Sequence, residues 1–188
     1  MKKIMFNDKF CLTQAVLNGT KTMTRRILRK DIPLGNWQKT EKMLPYKVGE
    51  IVAIAQSYHN LNKSGYTAPE WLDHVCESSA GYENKMFVRA DLMPHHIRIT
   101  DVKIEHLQDI SDKECLREGV KRASIGFYAE GVKVKDWEKE AHRETASGCL
   151  KLFPFPHPAF AALIDKVSGK GTWERNPWVA AYSFELVD

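Results

Sequence analysis

Residues Ile97-Arg98-Ile99-Thr100-Asp101-Val102-Lys103-Ile104 alternate apolar and polar side chains over eight positions. Successive side chains of an extended chain point to opposite faces, so this pattern predicts a strand with one buried and one wet face. Trp178 to Leu186 alternates in the same way and reads as a final strand. Ile51-Val52-Ala53-Ile54-Ala55, after the turn signal Lys47-Val48-Gly49-Glu50, is a compact apolar strand. Met86-Phe87-Val88-Arg89 is also strand-like, and the β-branched Thr22, Thr24 and Ile27 suit an extended segment.

Helical signals are fewer. Asp8 is placed to cap a helix carrying Leu12, Ala15 and Val16, ended by Asn18-Gly19. Ser111-Asp112-Lys113-Glu114 is a capping box, and Gly119 stops the brief helix behind it. Pro158 opens a helix through Phe160, Ala161, Leu163, Ile164 and Val167, which Gly169 ends. Between these elements, Pro33 to Pro45 reads as a loop. Residues 59–85 are polar and mixed, with a short helix from Pro69 to about Ser78. Residues 121–157 read as an excursion with one helix near Trp137. Short strands, few helices and long connections predict an α+β domain around a small barrel or curled sheet.

With 188 residues, 43% of them hydrophobic, the chain is long enough for one buried core without staples. No apolar run approaches the ~18 residues of a membrane span, and charge comes too early at the N-terminus for a signal peptide. Cys11, Cys76, Cys115 and Cys149 form no Cys-x-x-Cys pair, so the expectation is free thiols in a reduced, cytoplasmic compartment.

The net charge of +4 is too mild to define a partner, but the charges are unevenly placed. From Gly19 to Lys30 there are five bases (Lys21, Arg25, Arg26, Arg29, Lys30) and no acid. From Asp101 to Glu118 there are six acids (Asp101, Glu105, Asp109, Asp112, Glu114 and Glu118) against Lys103, Lys113 and Arg117. The two segments either meet across a cleft or form two solvated faces.

Several kinds of chemistry lack their residues. His95-His96 has no metal-ligand spacing, and His142-Arg143-Glu144 is not followed by the Pro-Cys-x-x-Cys of a zinc deaminase. Gly169-Lys170-Gly171-Thr172 lacks the leading glycine and strand of a phosphate loop and reads as a helix-to-strand turn. Cys115 has no nearby histidine and reads as buried and inert. No metal and no cofactor are expected.

Gly19-Thr20-Lys21-Thr22-Met23-Thr24-Arg25-Arg26 is different. It packs a lysine, three hydroxyls and two guanidiniums directly after a helix end. Cationic neighbours disfavour the Lys21 ammonium and make it a plausible base, Thr24 supplies a hydroxyl, and Arg25 or Arg26 suits a phosphate or carboxylate. Residues 21 and 24 lie on opposite faces of a regular strand, so cooperation requires a turn or bulge between them. The other reading is an exposed basic edge. Glu118 faces the negative end of its helix and sits four residues from Glu114, so it breaks two local rules. Either Arg117 and Lys121 neutralise it or it is there for function.

Gly19-x-Lys21-Thr22-x-Thr24-x-Arg26, with Val-Gly-Glu at 48–50, resembles the ASCH domain, a relative of the PUA fold. Leu107-x-x-Ile110-Ser111-Asp112-x-x-Cys115-x-x-Glu118-Gly119 also resembles that family, which often has alanine where Cys115 stands. The likeness covers residues 4–58, 96–120 and 158–187. It implies one domain over 1–188, a small PUA-like β-barrel with flanking short helices and two insertions, at 60–95 and 121–157.

The resemblance also implies functions. ASCH domains are proposed to bind RNA, so the first expectation is RNA or modified-nucleoside recognition through a basic cleft around Lys21–Arg26. Arg25, Arg26, Arg29 and Lys30 would meet phosphate, and Tyr58, Trp173 or Trp178 would stack a base. The alternative is a metal-independent amidohydrolase that removes an acyl group from acetylated cytidine. Compact members do this with a lysine, a threonine and a glutamate, which by motif position fall on Lys21, Thr24 and Glu118. A further alternative is a protein-interaction module that binds through the insertions. No membrane partner is expected.

Overall fold

The alternating segments form the middle of a sheet in the computed structural model, which describes residues 1–66, 77–134 and 150–187. In chain order the strands are β1 (Lys3–Ile4), β2 (Met23–Ile27), β3 (Ile51–Ile54), β4 (His96–His106), β5 (Lys121–Ala123), β6 (Gly126–Tyr128) and β7 (Trp178–Leu186). The helices are α1 (Leu12–Leu17), α2 (Trp37–Met43), α3 (Tyr58–Lys63), α4 (Asp112–Arg117), α5 (Pro156–Ser168) and α6 (Thr172–Arg175). The fold is α+β. None of the described helices is long and apolar enough to cross a membrane.

Five strands pair in the order β1-β3-β4-β7-β2, with β1 parallel to β3 and the other pairs antiparallel. The alternation in β4 slips where two polar residues, Thr100 and Asp101, stand side by side. The ladder with β7 shifts register there, as at a β-bulge. The slip lets Ile97, Ile99 and Val102 all face the core. The first core cluster gathers Ile4, Phe6, Val52, Ile97, Ile99 and Tyr182 around the sheet. A second joins α4 and α5 to the start of β7, through Leu107, Cys115, Phe160 and Val179. A third holds Ala53, Tyr58, Leu61 and Met93 beside α3.

The sheet is not a closed barrel. β1 and β2 are its two edges, and no strand ladder joins them. Arg26 spans part of that opening: its Nη2 on β2 donates to Met5 O, just beyond β1, at 2.6 Å. β1, at two residues, is too short to continue the ladder.

Several segments differ from the sequence reading for local reasons. Asp8 opens only a single 3-10 turn, Asp8–Phe10, whose cap is the Asn7 side chain; α1 begins after Cys11, which takes a positive φ of 52°. The expected loop at 33–45 contains α2, capped by the Asn36 side chain, which accepts from Lys39 N. Only Thr40 of that helix is buried, so it leaves no apolar periodicity to detect. α3 escapes notice in the same way, with Ser57 as its cap. Met86–Arg89 is not a strand. Asn84 accepts from Met86 N and tightens Lys85–Phe87 into a 3-10 turn, with Met86 and Phe87 more than half exposed. α5 starts at Pro156 rather than Pro158, and the turn at 169–172 leads into α6 before β7 begins. The helix from Pro69 and the one near Trp137 fall on 67–76 and 135–149, outside the described residues, as does His142-Arg143-Glu144.

Candidate functional site

The Lys21 loop is held at both ends. Gly19 takes φ +70° after α1, a left-handed conformation that other residues adopt only with strain. Its N–H donates to Val16 O, while Thr20 N and Lys21 N both donate to Ala15 O. Thr22 N donates to Arg117 O at the end of α4, and Arg117 Nε returns a bond to Thr22 Oγ1 at 2.9 Å. Gly119 completes the junction at φ +111°. A Cβ there would lie 2.9 Å from a Leu12 methyl, which would have to shift, and the positive φ itself strains any other residue. The ends of α1 and α4 thus meet, and Lys21 lies between them.

Lys21 is 2% exposed. Its Nζ donates to Glu118 Oε2 at 2.7 Å, Glu118 O at 2.7 Å and Met23 O at 2.6 Å. Glu118 Oε1 accepts from Arg25 Nη1 at 3.2 Å. Arg25 Nη2 also reaches Glu105 Oε1 at 2.6 Å and Glu114 Oε2 at 3.0 Å, and Lys103 Nζ lies 3.3 Å from Glu114 Oε1. The basic and acidic segments therefore meet, and their charges cancel. Lys21, Arg25 and Lys103 face Glu105, Glu114 and Glu118.

Burial pulls the Lys21 ammonium below the ordinary lysine value. Glu118 opposes the shift, and Arg26 and Arg25 add smaller downward pushes. The direction matches the sequence reading, but the main cause is desolvation rather than cationic neighbours. Burial also works against the Arg25 charge, yet Glu118, Glu105 and Glu114 outweigh it and raise that group. Burial pushes the Glu114 carboxyl up, and the Ser111 N–H, Arg25 and Lys103 together bring it down to about 2. Cys115 is fully buried and its thiol is raised to about 12, chiefly by burial, which leaves it inert.

Beside this network lies a cleft of about 160 Å³, lined by Lys21, Thr24 and Glu118 and walled by Phe6, Phe160 and Leu163. Lys21 precedes β2, whose first residue is Met23, so the objection that residues 21 and 24 point apart along one strand does not apply. Thr24 Oγ1 makes no hydrogen bond with the described residues. β2 is an edge strand, and its partner β7 is bonded to Thr22 O and Leu28 N. The antiparallel alternation then turns the N–H and C=O of Arg25 and Ile27 away from β7, along the free edge.

The four expected phosphate contacts separate. The Arg25 side chain is 0% exposed and held by three carboxylates. Arg26 lines the cleft, packs its guanidinium 5.7 Å from the Phe6 ring centre, and leaves its enclosed Nε without a partner among the described residues. Arg29 and Lys30 are exposed outside this cleft, Arg29 beside Asp31 at 3.3 Å. Glu118 is neutralised by Lys21 and Arg25, whereas Arg117 serves Thr22 and Ser183, and Lys121 serves Glu130. Of the candidate stacking residues, Tyr58 is buried, Trp173 packs on Phe160, and Trp178 lies against His106. None of them lines the cleft. Glu105, Phe6 and the α5 wall were not singled out in the sequence, and Glu114 was read only as a helix cap and as a like-charge neighbour of Glu118. The acidic run was the available signal for the two glutamates, without indicating which of its members turn inward.

The chain is similar to two solved structures. One is a DUF984-family protein from Enterococcus faecalis, at 17% identity and TM-score 0.43, over 100% of this chain and 81% of that one. The other is an ASCH domain from Lactobacillus crispatus, at 14% identity and TM-score 0.35, over 93% of this chain and 69% of that one. The second carries the family name that the Gly19–Arg26 and Leu107–Gly119 motifs resemble. No family model matches the chain, and no curated protein matches it.

Proposed function

We propose that the Lys21 cleft is a catalytic site for hydrolysis of a small amide, an acylated nucleoside such as acetylated cytidine. The observation that carries this reading is that Lys21, Thr24 and Glu118 border one cleft, with Lys21 paired to Glu118 and the Thr24 hydroxyl without a partner among the described residues. At about 160 Å³ the cleft is below the ~300–1,000 Å³ of drug-sized pockets and suits one ring or acyl group rather than a polynucleotide. Arg25, saturated by carboxylates, supports this reading over phosphate recognition inside the cleft.

A proton crossing the 2.7 Å from Lys21 Nζ to Glu118 Oε2 turns the ion pair into an amine base beside a carboxylic acid. Burial favours that neutral form, while Arg25 favours the carboxylate. Lys21 then takes a proton from a water oriented by Thr24. The oxygen adds to the acyl carbon, the carbon–nitrogen bond breaks, and the proton from Glu118 goes to the leaving nitrogen. The products are the free amine and a carboxylic acid, which loses its proton to solvent as the Lys21–Glu118 ion pair is restored. The Arg25 and Ile27 backbone groups on the β2 edge supply a donor–acceptor pattern for the polar rim of the base.

The test is release of cytidine from acetylated cytidine, with chelator present. Thr24→Val, which keeps side-chain volume, is expected to fold normally and lose about 10²–10⁴-fold in turnover. Because the reactive form keeps one proton shared by Lys21 and Glu118, turnover is expected to fall as pH rises through loss of that proton, with a midpoint below the ordinary lysine value of 10.5. Full turnover by both Thr24→Val and Lys21→Ala would end this reading.

A further inference from the structure

A second cleft, of about 200 Å³, lies on the other side of Arg26. Its apolar walls come from Leu28, Ile32, Met43 and Pro45, and its charged lining residues are Arg26 and Arg29. No carboxylate lines it among the described residues; Asp31, beside Arg29, is more than half exposed and outside it. Arg26 and Ile27 line both clefts, so the two adjoin along the free edge of β2. In the Lys21 cleft Lys21 and Arg25 are paired to carboxylates, whereas neither Arg26 nor Arg29 has a carboxylate partner among the described residues that line this one.

We infer that one substrate occupies both clefts: its acylated base sits at Lys21 and a phosphate group sits in the second cleft, gripped by Arg26 and Arg29. The substrate class is then an acylated nucleotide rather than an uncharged nucleoside. This inference rests on the proposed hydrolase reading and deepens it. What supports it is that Arg26 and Arg29 both line this cleft and no carboxylate stands among its described lining residues. The geometry suits the ligand as well. Planar guanidiniums bind phosphate oxygens in pairs, and the apolar walls beside them suit the sugar.

The experiment titrates acetylated cytidine and its 5′- and 3′-monophosphates into the protein, following the methyl NMR signals of Met43, Ile27 and Ile32 alongside cytidine-product release. At least one monophosphate is expected to bind about tenfold or more tighter than the nucleoside, to shift the Met43 and Ile32 methyls, and to lose its advantage as salt rises. In Arg29→Gln and in Met43→Glu, which adds a carboxylate to the cleft wall, the ratio of the two affinities falls toward one. Equal affinity for phosphorylated and unphosphorylated ligands, or silent Met43 and Ile32 methyls, overturns the inference even if acetylated cytidine is hydrolysed. Phosphate-dependent binding without any turnover keeps the second cleft and removes the hydrolase reading.

Discussion

The two clefts that share Arg26 and Ile27 handle positive charge in opposite ways. At Lys21 the cations are buried, and each is matched by a carboxylate from β4, from α4 or from the residue that ends α4. Beyond Arg26 the guanidiniums stand against apolar walls, and Arg29 is largely in solvent. Burial without a partner is expensive, so the first set is committed to internal pairs and is suited to proton transfer. Arg29, in solvent beside Asp31, gains little stability from that exposed pair and can exchange it for an external anion. The difference teaches that a basic run such as 21–30 is not one surface. Neighbouring residues of an edge strand can serve a buried network and an open rim.

The largest effect should come from breaking the compensation. Glu118→Gln leaves Lys21 and Arg25 buried without that carboxylate, and is expected to cost about 3–5 kcal/mol in denaturant unfolding. Replacing both members of the pair, as Lys21→Met with Glu118→Leu, should recover part of this loss while abolishing hydrolysis. A double variant no more stable than Glu118→Gln would show that the pair is not the source of the loss.

Acid should act next. Glu114 is held at about 2 in the folded chain against an ordinary 4.5. The folded state binds fewer protons than the unfolded state between those values. Its stabilising contribution is therefore complete above about pH 4.5 and lost as pH falls toward 2. Glu114→Gln should flatten unfolding curves in that window. The smallest effect belongs to the open cleft: Arg29→Gln should change stability by less than about 0.5 kcal/mol, and a larger loss would mean that Arg29 is structural.

Much of the framework was legible in the sequence because its signals are local. The Ser111–Glu114 box, the Gly19 and Gly119 stops, the strands β3, β4 and β7, and the residue types at 21, 24 and 118 are each read within a window of a few residues. α2 and α3 were not, because they bury too few residues to imprint a period. The doubled polar pair at 100–101 marked a bulge only once the ladder to β7 was seen. Charge pairing lay further out of reach. Lys21 meets Glu118 across 97 positions and Arg25 meets Glu105 across 80, and several acids of similar chemistry competed for those bonds. Sequence alone set which groups were available and where the chain turns. Tertiary structure decided which of them lost water, since desolvation depends on what packs around a charge. That packing separates a buried Lys21 pair from an exposed Arg29 eight residues along the same segment.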